Sequence, residues 1–266
     1  MTNLRECGWV WEGQGLDPDV HPSIFGVGEG ARYFGLDKVH FLFHPNTTLA
    51  MAKLTDMGIR EIVCDISKWC YVNSESGGTR HQVDATPARV RAEAELVSTL
   101  SLQFPRVTGA IHDDMKGLVN REKYTPADYA PIYVALKSRN PKLKLWTVVY
   151  SHELVGGANL EFWRAFAPYV DVVEYWIWEA KNIPPMDDAV ARCREVFPDK
   201  PIVMGCYLRD YPTRAPVPMP LLKQQWERVV HHVHAGNLAG YAILATVLID
   251  EQQEQANWVR DVIRNG

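Results

Sequence analysis

Residues 107–115 read VTGAIHDDM: a run of strand-forming residues that ends in His112, Asp113 and Asp114 and then gives way to a loop. In sheets and barrels of parallel strands, active sites form beyond the carboxyl ends of the strands, so acids placed there point to chemistry before packing. Other runs repeat the arrangement. REIVCD ends in Asp65, DVVEYWIW carries Glu174, and VHFLFH ends in His44.

Outward from that stretch, apolar runs of strand length fall at 7–11, 39–44, 61–66, 107–112, 145–150, 172–178, 201–207 and 240–248. Segments of helical period separate them. Thr86 and Pro87 open one with Val90, Ala94, Val97 and Leu100 inward, and Thr125 and Pro126 open another with Tyr129, Ile132 and Leu136. Later stripes are Phe162, Trp163 and Phe166; Val190, Cys193 and Phe197; Leu222, Trp226, Val229 and Val233; and Ala256, Val259 and Ile263. Strict alternation of strand and helix requires parallel strands with right-handed crossovers, and these runs predict one α/β domain, a closed (β/α)8 TIM barrel over residues 1–266. A doubly wound open sheet is the structural alternative. Residues 12–37 carry no helical period and predict a long loop, within which FGVGEG lacks the spacing of a dinucleotide-binding turn.

Composition narrows the function. The chain has 266 residues, 47% of them hydrophobic, and a net charge of −4 without long runs of either sign, which argues against nucleic acid and anionic membrane as main partners. A small neutral molecule or an oligosaccharide is the expected partner, and oligomeric state is left open. Five cysteines without a CxxC pair fit a reducing compartment. With no secretion signal and no run of about 18 apolar residues, a cytoplasmic location is expected.

Alternate residues of a strand face opposite sides. On that rule Val107, Gly109 and Ile111 face the helices, while Thr108, Ala110, His112 and Asp114 face the barrel axis. Ile62, Cys64 and Ile66 face out and Asp65 in; Val173 and Ile177 face out and Glu174, Trp176 and Trp178 in. Asp65, Asp114 and Glu174 then share one lumen. Carboxylates confined together cannot all ionise freely, so one is pushed up in pKa to serve as an acid while another remains a base or nucleophile. Glycoside hydrolysis needs that division of labour. Aromatic residues cluster at the same end: Trp9, Trp11, Trp69, Tyr71, Tyr150, Trp176, Trp178, Tyr207 and Tyr211 lie at or just beyond strand ends. Ring faces beside acids suit sugars, whose C–H faces pack on aromatic planes while their hydroxyls bond to carboxylates.

With the acid pair closing strand four, an acid and tryptophans on strand six and WTVVYSHEL on strand five, the chain resembles the (β/α)8 glycoside hydrolases as a class, without matching one family among them. The resemblance implies a carbohydrate-active hydrolase with its acids after strands four and six: Asp113 or Asp114, and Glu174 or Glu179. The variant with acids after strands four and seven fits poorly, since GCYLRDY offers only Asp210. The reading takes Asp114, Asp113 and Glu174 as catalytic, and Asp65, His112, His152, Trp178, Trp11 and Tyr207 as substrate-binding, with no cofactor and no metal. The leading alternative is a divalent-metal-dependent hydrolase, isomerase or lyase using His44, Asp65, His112, Asp114, His152, Glu153 and Glu174, although strand one lacks an HxH pair and no HExxH helix occurs. A non-catalytic sugar-binding barrel is the third reading. A Schiff-base aldolase is disfavoured because Lys68 and Lys181 lie beyond strand ends. His231, His232 and His234 are expected on a solvated helix face, and Cys206 as a small core residue.

Overall fold

The structure is a computed structural model that describes residues 3–13, 20–67, 70–73, 79–82 and 84–266, the side chains of 70–73 and 79–82 excepted. Lys68 and Trp69 lie outside the described residues, as does the side chain of Tyr71. Eight parallel strands close a barrel: β1 (Gly8–Trp11), β2 (Lys38–Phe41), β3 (Glu61–Asp65), β4 (Val107–His112), β5 (Lys144–Tyr150), β6 (Val172–Trp176), β7 (Ile202–Tyr207) and β8 (Gly240–Leu244), with β8 pairing back onto β1. The helices that follow them in turn are α1 (Val27–Phe34), α2 (Thr48–Asp56), α3 (Pro87–Gln103), α4 (Pro126–Lys137), α5 (Gly157–Phe166), α6 (Met186–Val196), α7 (Met219–His234) and α8 (Gln253–Asn265). The open sheet is thereby excluded. Two antiparallel hairpins, Cys70–Asn73 with Thr79–Gln82 and Arg209–Asp210 with Ala215–Pro216, rise from the loops after β3 and β7. No helix among the described residues is long and apolar enough to cross a membrane.

Threonine hydroxyls cap the starts of α2, α3 and α4, from Thr47, Thr86 and Thr125. The Thr125 hydroxyl accepts from the Asp128 N–H while the Asp128 carboxylate accepts from the Thr125 N–H, a reciprocal cap worth about 1 kcal/mol. Helix α1 lies where a loop was expected, and its cap explains why. Gly26, at its N-cap, has no side chain to accept a bond, and the Val27 N–H instead donates to Glu12 Oε2 at 2.9 Å, fifteen residues upstream. His232 also departs from expectation. It is buried on α7, with Nε2 at 2.9 Å from Asp187 Oδ1 of α6, which Arg228 grips as well.

Indole and imidazole rings fill the lumen. Trp9 packs against His40 and Trp146 at centroid distances of 5.0 and 4.8 Å, and Trp11 meets Trp176 edge-on at 5.5 Å. Glycines on neighbouring strands make the room: a Cβ at Gly205 would lie 2.0 Å from the Trp176 ring, and one at Gly109 would lie 3.1 Å from the Trp146 indole nitrogen. Gly109 therefore faces the lumen, contrary to the alternation read from the sequence. The cause is an irregularity in the β3–β4 ladder, where Ile62 pairs with Val107 but Val63 pairs with Gly109, leaving Thr108 as an extra residue. One extra residue moves every later side chain of a strand to the opposite face. On β3, by contrast, the alternation holds, and Cys64 meets Met51 of α2 outside the barrel.

Candidate active site

A cleft of about 520 Å³ opens beyond the carboxyl ends of β4 and β5, lined by Asp114, Tyr150, His152, Glu153 and Trp178, with Leu118 and Arg121 from the short helix Met115–Arg121. Trp178, 36% exposed, stands at its edge, backed by Tyr211 stacked at 5.4 Å and by Tyr207 and Tyr150 edge-on. Four of the residues picked from sequence thus meet around one opening: Asp114, His152, Trp178 and, just behind, Tyr207.

The displaced register of β4 decides how its acids are used. Asp114 takes up a left-handed backbone conformation, φ 48°, directly before the short helix, which Asp tolerates better than most residues. Its carboxylate accepts a hydrogen bond from the Tyr150 hydroxyl at 2.8 Å. Asp113, 9% exposed, lies among the acids beneath. Burial, and then the charges of Asp114, Asp65 and Glu174, push its carboxyl well above the usual carboxylate range.

The remaining acids are held deeper. Glu174 is 0% exposed, its Oε1 accepting from the Trp11 indole N–H at 2.7 Å with His40 Nδ1 at 3.2 Å, outside hydrogen-bonding alignment. Asp65 is also fully buried and accepts from the Ser67 N–H at 2.7 Å. Both lie on the lumen side, as alternation predicted, yet neither lines the cleft. Asp210 accepts from the Ala180 N–H and the Thr213 hydroxyl, bracing loops, and Glu179 pairs with Lys181 at 2.5 Å.

His112 requires correction. The extra residue in β4 turns it away from the lumen and into the helix layer, where Nδ1 lies 3.0 Å from the Tyr129 hydroxyl of α4 and the two rings stack. Burial lowers its pKa to about 3, so the ring is neutral, and it does not reach the cleft. His44 is elsewhere too. It lies 3.6 Å from Glu12 and lines a separate recess of about 480 Å³ between β2, α1 and α2. Among the described residues no three His, Cys, Asp or Glu side chains are placed to hold a metal ion together.

Glu153, named from sequence only among metal-site candidates, lines the same cleft as Asp114. The 3-10 turn Ser151–Leu154 carries it, and its Oε2 accepts from the Tyr150 N–H at 3.2 Å. Burial raises its pKa to about 7, against the opposing effects of that N–H and of Lys116. The Lys116 ammonium donates to Asn159 Oδ1 at 2.8 Å and stands 3.9 Å from Glu153, an ion pair without a direct hydrogen bond. The only sequence sign of this acid is its position three residues beyond Tyr150, at the end of β5.

No protein-family model and no curated protein matches the chain. Among solved structures, the chain is similar to the PgaB (BpsB) glycoside hydrolase domain of Bordetella bronchiseptica, with a TM-score of 0.58 at 12% identity over 97% of this chain and 98% of that one. It is also similar to active domain 2 of a thermostable chitinase of Pyrococcus furiosus, with a TM-score of 0.56 at 13% identity over 92% of this chain and 86% of that one. A structure described as QR15, an aldolase, aligns over 97% of this chain and 99% of that one with a TM-score of 0.52 at 8% identity. At these identities the likeness is one of fold: the chain shares the eight-stranded barrel on which glycoside hydrolases, and an aldolase, are built.

Proposed function

We propose that the protein is a carbohydrate-active hydrolase whose working carboxylate is Asp114. The observation that carries this reading is the Asp114 carboxylate, oriented by the Tyr150 hydroxyl and opening onto a cleft that Trp178 walls on one side. A sugar ring lying on the Trp178 face presents its anomeric carbon to that carboxylate, which acts as nucleophile or as base toward water. Burial and the neighbouring acids favour the protonated form of Asp113 below, which lowers the charge that the site carries. His152, kept neutral by burial and by nearby Lys116, both donates to and accepts from sugar hydroxyls. The glycoside hydrolases among the similar folds are consistent with this reading.

Hydrolysis of a panel of 4-nitrophenyl glycosides and unmodified oligosaccharides tests it. Asp114→Asn is expected to lower kcat by at least about a hundredfold, within the usual range for an acid-base group, with the melting temperature unchanged. Trp178→Ala is expected to raise KM more than it lowers kcat. Failure of the parent protein to cleave any glycoside, or near-parental turnover by Asp114→Asn, overturns the assignment.

A further inference from the structure

Double-carboxyl chemistry at Asp114 requires a second acid that reaches the substrate. Glu174 is sealed in the lumen under Trp11, and Asp113 is almost as deep; neither lines the cleft. Among the described residues, the second carboxyl group that lines that cleft is Glu153. We infer that Glu153 is the proton donor to the departing glycosidic oxygen, paired with Asp114 across the bond that breaks, an inference that rests on the hydrolase reading above.

The geometry suits the task. The Tyr150 main chain fixes Glu153 through its N–H, and the Tyr150 side chain fixes Asp114 through its hydroxyl, so one residue sets both carboxyls in relation to each other. The groups facing Glu153 are His152 on its own turn, Tyr150 of β5, Asp114 after β4, and Lys116 and Arg121 of the short helix. Burial and the Asp114 charge favour the neutral acid before reaction. Lys116, already within 3.9 Å, stabilises the carboxylate once the proton has left.

The step balances. The Glu153 proton moves to the glycosidic oxygen as the bond from the anomeric carbon to that oxygen breaks and its electron pair stays with the oxygen, releasing a neutral alcohol. Asp114 meets the positive charge that develops on the carbon, either by bonding to it or by taking a proton from an attacking water. If Asp114 has bonded to the carbon, Glu153 recovers its proton from the water that attacks there as the bond from carbon to Asp114 breaks; if Asp114 has instead taken the water's proton, it releases that proton to solvent, from which Glu153 is reprotonated.

Substrates that differ in their need for an acid provide the test. Glu153→Gln keeps the acceptor for the Tyr150 N–H and removes the proton. It is expected to lose at least about a hundredfold in kcat/KM on unactivated oligosaccharides, yet to remain within about tenfold of the parent on 2,4-dinitrophenyl glycosides, whose leaving group departs unprotonated. The alkaline limb of the parent pH profile, near pH 7, should vanish in the variant on the activated substrate. Equal losses on both substrate types, or no loss on either, overturn the role of Glu153 while leaving the hydrolase reading intact. Cleavage of no glycoside by the parent overturns both.

Discussion

The Tyr150 hydroxyl donates a hydrogen bond to Asp114 Oδ1 at 2.8 Å, tying the end of β5 to the residue that follows β4. Hydrogen bonds to charged acceptors contribute about 1.5 to 3 kcal/mol. Tyr150→Phe is expected to reduce kcat/KM by about ten- to a hundredfold, mainly through kcat, while Glu153 keeps its bond from the main-chain N–H. Steady-state kinetics on the best substrate of the panel measure this, and an unchanged kcat would remove Tyr150 from the site.

His112 makes the protein acid-sensitive in a definite window. Its pKa is lowered from 6.5 to about 3 in the folded state, so below about pH 6.5 the unfolded chain binds a proton that the folded one does not. Stability contributed by the neutral ring is full above that pH and declines toward pH 3, by about 3 kcal/mol between pH 6.5 and about pH 4. His112→Gln should be less stable than the parent at pH 7, having lost the fitted ring, but its stability should fall less on acidification. Urea unfolding at several pH values measures both. Parallel losses in the two proteins would show that His112 does not set the slope.

Gly205 makes room for the Trp176 indole, since a Cβ there would lie within 2.0 Å of the ring. Overpacking a filled core costs about 1 to 3 kcal/mol, and a rigid indole closed in by Trp11 and Tyr207 has little freedom to shift. Gly205→Ala is expected to lower the unfolding free energy by about 2 kcal/mol or more and to alter the near-ultraviolet circular dichroism of the lumen tryptophans. A variant as stable as the parent would mean that the ring readily moves aside.

Sequence alone determined most of the alternation of strands and helices, and with it the barrel, because the eight strand-length runs and the six helical stripes between and after them are local patterns. It also placed Asp65 and Glu174 on the lumen side, since β3 and β6 alternate without interruption beyond Ile62. What it could not supply depended on neighbours in space. The extra residue at Thr108 exists only in how β4 pairs with β3, and it sends His112 to the helices and leaves Asp113 among the buried acids. Helix α1 is capped by Glu12 rather than by its own N-cap residue, so only a two-turn stripe of Val27, Ala31 and Phe34 and the stop at Gly35 announce it locally. Glu153 looks like any loop acid until the fold buries it. Local pattern fixes which elements form, because backbone hydrogen bonding and side-chain alternation act over a few residues. Register and charge environment fix which acid faces substrate, because desolvation and Coulomb forces act between groups that only the closed barrel brings together.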